Sequence, residues 1–154
     1  MMNFYISYEN INLLGEAQYL ENEFSFFYEP WNNVDFSIVL GNSYSSLDVK
    51  LREKTVVQLT GFNSKDSWIK KTLCVPKASI GKLFVEADSV VWGPGMGVHY
   101  EESWNTYYNP DSGWICIGNS DYCEICRSVQ FANNTIAVVK GTDLWAIWIK
   151  PRFV

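Results

Sequence analysis

The sequence predicts a single, mainly β domain over residues 1–154, an antiparallel sandwich or partly open barrel with one or two short helices. Three observations carry that expectation. Apolar and polar residues alternate with period two from end to end, the pattern of half-buried strands. Glycine, asparagine, aspartate and proline interrupt the alternation at short intervals, as hairpins require. Helical spacing is confined to two short stretches. The alternative is an α+β arrangement, with one of those helices packed across a face of the sheet. A chain of 154 residues is one domain of ordinary size, and it can bury a core without a disulfide or a metal.

The elements follow in order. Residues 10–21 carry Ile11, Leu14 and Ala17 at helical spacing, interrupted by Gly15, and form the first candidate helix. Phe24, Phe26 and Tyr28 alternate with Glu23, Ser25 and Phe27, and Val34, Phe36 and Ile38 alternate with Asp35 and Ser37. Both read as strands. Leu47, Val49 and Leu51 face one way while Asp48, Lys50 and Arg52 face the solvent, and a turn at Glu53-Lys54 joins residues 47–52 to 55–61 as a hairpin. Further alternation marks Ile69, Leu73 and Val75, then Leu83, Val85 and Ala87. Residues 104–108 and 114–118 form a hairpin around Asn109-Pro110-Asp111-Ser112-Gly113. Residues 121–129 make the second candidate helix: Asp121 and Glu124 suit a capping box, and Tyr122, Ile125, Cys126 and Val129 share a helical face. The firmest hairpin joins residues 135–139 to 144–149 through a glycine-containing turn. Neither arm alternates, so both faces are covered and the pair is central. Pro151 ends it.

Charge is segregated along the chain. Residues 1–49 and 83–126 each hold seven acids and no lysine or arginine, while residues 50–82 hold eight bases and two acids. The net charge of −5 argues against binding a phosphate backbone. Interleaving of acidic and basic strands would neutralise the blocks through cross-strand pairs; separation would leave an acidic face able to steer a basic partner. No apolar run approaches the roughly 18 residues of a membrane span. The N-terminal residues lack a basic signal-peptide segment. The expectation is a cytoplasmic protein with reduced, structural cysteines.

Chemical motifs are sparse. Cys123 and Cys126 form a lone CxxC with Cys116 upstream, half of a zinc signature, which leaves these three as minor metal candidates. Redox use of the pair is opposed by Asp121 and Glu124, which disfavour a thiolate. No cofactor is expected. His99 with Glu101 or Glu102 is a minor catalytic candidate for a hydrolase, since a carboxylate can orient an imidazole as a general base. Gly93, Gly95 and Gly97 superficially suggest a phosphate loop, but no lysine or helix start follows and the surroundings are acidic.

The strongest functional feature is a run of rings among acids: Trp92, Tyr100, Glu101, Glu102, Trp104, Tyr107, Tyr108, Asp111 and Trp114. Such a surface suits a basic protein partner, with Trp104, Tyr107 and Tyr108 as anchors and the acids as attraction. Some of these rings could instead simply fill a sheet core. The primary expectation is therefore a non-enzymatic protein-interaction domain. Small size, acidity and the missing catalytic motif make the chain similar in general character to bacterial immunity proteins, a likeness of composition alone. A carbohydrate or other small-ligand binding module is the alternative.

Overall fold

The computed structural model describes residues 2–87, 96–98 and 104–154. Its first half holds β1 (Met2–Tyr8), β2 (Glu16–Leu20), β3 (Ser25–Glu29), β4 (Phe36–Leu40), β5 (Ser46–Lys50) and β6 (Thr55–Phe62). There follow β7 (Ile69–Lys70), β8 (Ser79–Ala87), β9 (Met96–Val98), β10 (Thr106–Tyr108) and β11 (Ile115–Gly118). The chain ends in β12 (Arg127–Ala132), β13 (Thr135–Lys140), β14 (Asp143–Ile149) and β15 (Arg152–Phe153). Helix among the described residues is limited to one 3-10 turn, Lys65–Ser67, capped by the Ser64 hydroxyl.

These strands form one sheet that curls into a half-barrel, so the β class and the partly open barrel hold. Its main path runs β15-β2-β3-β6-β8-β12-β13-β14-β11-β10-β7, with β1 added to β8, β5 to β6, β4 to β5 and β9 to β4. Alternation builds the interior. Phe4, Ala17, Tyr19, Phe26, Tyr28, Leu83 and Val85 point inward from β1, β2, β3 and β8, while their chain neighbours face out. Each such large apolar side chain contributes about 1.5–3 kcal/mol by leaving water. The three predicted hairpins form: β5–β6, β10–β11 and β13–β14. Gly141 takes a left-handed φ of 64° in the last turn, with nothing near its missing side chain, so conformation alone selects glycine there.

The β13–β14 pair is central and covered on both faces. Ala137, Val139, Leu144, Ile147 and Ile149 enter the main core. Ile136, Val138, Ala146 and Trp148 form a second cluster with Cys116 on the convex face. Leu73, Val75 and Ala78 pack against that cluster, so residues 71–78 act as a strap over the outside of the sheet.

Both predicted helices are corrected. Gly15 adopts a φ of 91°, and residues 16–20 then pair with β3 as a strand that buries Ala17 and Tyr19. In the 121–129 stretch, Tyr122 is 90% exposed and Ile125 73%; residues from Arg127 onward pair with β13 instead. A nine-residue helix is marginal by itself, and burying Val129 and Phe131 from a strand wins. Asp48 is also corrected. It is 1% exposed, its carboxylate accepting from Ser37 Oγ at 2.7 Å, Gln58 Nε2 at 2.8 Å and Thr60 Oγ1 at 2.8 Å. Strands β4, β5 and β6 thus share a buried polar face that the apolar alternation does not reveal.

Candidate functional site

The ring-and-acid set divides. Trp92, Tyr100, Glu101, Glu102 and His99 lie outside the described residues, as do Gly93 and Gly95. Trp104 is 5% exposed within the core, its backbone N–H donating to Asn42 Oδ1 at 3.0 Å. Its ring sits where a side chain at Gly118 (φ 113°) would have to be. As an outward anchor Trp104 is therefore corrected: shape complementarity with Gly118 draws it inside. Tyr108 is also turned inward, half-buried between Trp68, at a ring separation of 5.3 Å, and Phe153, at 5.9 Å. Trp114 is half-buried against the convex cluster. Period two sends Tyr107 the other way, to the convex face, where Lys71 Nζ lies 4.9 Å from its ring centre. Asp111 is exposed in the β10–β11 turn.

A second exposed set, Asp121, Tyr122, Glu124 and Ile125, lies at residues 119–126, between β11 and β12. The Asn119 carboxamide oxygen accepts from the Asp121 N–H at 2.9 Å, an Asx turn that starts the loop. Its far end is closed by the Cys126 N–H on the Cys123 carbonyl at 3.3 Å and by a Cys123–Cys126 disulfide. The expectation of four reduced cysteines is thereby corrected. The zinc set is not assembled either, because disulfide sulfurs are not thiolate ligands and Cys116 is wholly buried. Constrained this way, the loop holds Tyr122 and Ile125 outward beside the exposed acids Asp121 and Glu124.

A cleft opens on either side. One of about 750 Å³ has Lys71, Tyr107, Asp121 and Trp145 in its walls. The other, about 520 Å³, lies between the loop and the strap and includes Cys74, Lys77, Tyr122 and Trp148. Trp145 borders both; Lys140 Nζ sits 4.9 Å above its ring, and its buried Nε1 finds no hydrogen-bond partner among the described residues. No protein-family model, curated protein or solved structure matches the chain.

The electrostatics are mixed. Lys71 donates to Ser120 Oγ at 2.8 Å and lies 3.8 Å from the Asp121 carboxylate, yet the Asp121 side chain stays 79% exposed. Glu124 has no ion pair among the described residues. Sequence reasoning assigned Tyr122 and Ile125 to a helix face and so missed them as surface. The signal that could have found them is the Asn119-Ser120-Asp121 turn composition directly before a CxxC, which favours a short closed loop over a helix.

Proposed function

We propose that this chain is a protein-interaction domain that binds a partner with a basic surface through residues 119–126 and the adjoining clefts. The observation that carries the reading is Tyr122 and Ile125, the two large apolar side chains most exposed on the loop, each next in sequence to an exposed acid, Asp121 or Glu124, on a covalently closed turn. An aromatic anchor ringed by polar groups is the composition of a binding hot spot. Closure of the loop lowers the ordering entropy that binding must overcome. The acids add long-range attraction for a cationic surface. Cytoplasmic residence loses one of its supports, since the disulfide is at odds with reduced cysteines. Among the described residues, no helix is long and apolar enough to cross a membrane.

The test is affinity capture from native cells with three baits: wild type, the pair Tyr122→Ala and Ile125→Ala, and the pair Asp121→Asn and Glu124→Gln. A partner of basic composition should bind wild type, and the apolar pair should weaken it by about tenfold or more. The acid pair should mainly slow association and flatten its salt dependence. A partner retained equally by all three baits overturns the reading.

A sugar or similar small ligand is the second reading. The larger cleft supports it by setting the rings of Tyr107 and Trp145 beside Asn105, Asn119 and Asp143, a mixture of faces and polar groups that carbohydrates use. Saturable change in tryptophan fluorescence with a glycan panel, lost in Trp145→Phe, would favour it over a protein partner.

A further inference from the structure

Three of the four cysteines line the smaller cleft. Cys74, on the strap, is exposed and carries a free thiol. Cys123 and Cys126, on the loop, are half-buried and joined to each other. The fourth, Cys116, lies buried in β11 opposite Trp148. Burial pushes its thiol well up, which suppresses thiolate chemistry there. Exchange requires a thiolate, a disulfide and open access between them. Both the free thiol and the disulfide line this one solvent-open cleft, from separate segments.

We propose that this cleft is a thiol–disulfide exchange site, with Cys74 as the attacking group and the Cys123–Cys126 bond as the acceptor. Cys74 gives its proton to solvent, and its Sγ attacks one sulfur of the pair. A new S–S bond forms to that sulfur as the Cys123–Cys126 bond breaks. The electron pair departs on the other cysteine, which takes a proton from solvent. One disulfide and one thiol stand on each side of the step, so no outside oxidant or reductant is consumed. The product ties residues 71–78 covalently to residues 119–126 across the cleft. This chemistry is independent of whether the loop binds a protein.

Peptide mapping without reduction tests it in two arms. In the first, dilute wild-type protein is held near pH 8.5, about the ordinary thiol pKa, then quenched with acid, alkylated and digested. The expected map contains Cys74 linked to Cys123 or Cys126 beside the Cys123–Cys126 form. In the second, Cys123→Ser and Cys126→Ser are each treated with oxidised glutathione. The expected product is a monomer that has lost the glutathione adduct and gained an internal bond from Cys74 to the remaining loop cysteine. An internal Cys74 link in either arm upholds the proposal. Its absence from both, or a Cys74 link found only between two copies, overturns it. The wild-type arm needs no substitution, so misfolding of a variant cannot obscure the outcome.

Discussion

Asn63, buried in the fold, joins four other parts of the chain through its carboxamide and its backbone carbonyl. Its Nδ2 donates to Ser45 Oγ and to Thr106 Oγ1, each at 2.9 Å. Its Oδ1 accepts from Trp68 Nε1 at 2.8 Å, and its backbone carbonyl accepts from the Tyr19 hydroxyl at 2.7 Å. Asn63→Ala removes the first three and leaves buried donors and acceptors unpaired, which costs about 3 kcal/mol. Urea unfolding should show the midpoint fall with an unchanged slope, and a loss below about 1 kcal/mol would mean that water replaces the amide. Asn63→Asp should fare no better, because the Nδ2 donor is lost. Asn133 works similarly at the surface, donating from Nδ2 to the carbonyls of Leu13 and Gly15 at 3.0 and 2.6 Å. Neither role was legible in the sequence. An asparagine between strands reads as turn chemistry, and its partners lie up to 120 positions away.

At the scale of elements, β8 is the junction of the sheet, since β1, β6 and β12 all pair with it. Gly81 stands opposite Tyr8 in that ladder, and an added Cβ would collide with the Ser7 carbonyl oxygen and crowd Val129. Backbone cannot yield as a flexible side chain can. Gly81→Ala should therefore cost about 3 kcal/mol and raise amide exchange along β1 before β13 and β14, measurable by hydrogen exchange. Equal protection in β1 would contradict this account of the junction. Hairpins were the legible elements because their pairing is local: in β5–β6, β10–β11 and β13–β14 the turn residues sit directly between two short strand-forming runs. The strap at residues 71–78 and the loop at 119–126 were not legible. Leu73 and Val75 alternate like strand residues, yet they cover the sheet from outside. The spacing of Tyr122, Ile125, Cys126 and Val129 fits a helix equally well until the pairing of β12 with β13 is known.

Across the whole molecule, charge blocks that are segregated in sequence become interleaved in space. Strand β9 pairs with β4, joining the two acidic blocks, while Lys54, in the β5–β6 turn, and Lys82, on β8 opposite Ser7 of β1, lie beside acids of those blocks. Lys54–Glu86, Lys65–Glu21, Lys71–Asp121 and Lys82–Glu9 are ion pairs of that origin, at 3.9, 3.1, 3.8 and 3.7 Å. Exposed as they are, each contributes about 0–1 kcal/mol, so they favour strand order more than stability. Strand order was the missing information, and without it the choice between neutralised and opposed fields was open. The stronger dependence on solution conditions is alkaline. Burial raises the pKa of Cys116, and it also raises those of Tyr19 and Tyr28 against hydrogen bonds that lower them. All three are neutral acids kept protonated by the fold. A raised folded pKa leaves stability intact below the unfolded value and removes it as pH climbs toward the folded one. Stability should hold up to about pH 8.5, the thiol value of an unfolded chain. Above that it should fall by about 1.4 kcal/mol per pH unit for each group ionised only in the unfolded state, steepening near pH 10 as the tyrosines join. Cys116→Ala should be less stable at pH 7 yet flat to about pH 9.5. Urea titrations of both proteins across this range decide the point: parallel curves would remove Cys116 as the first alkaline trigger.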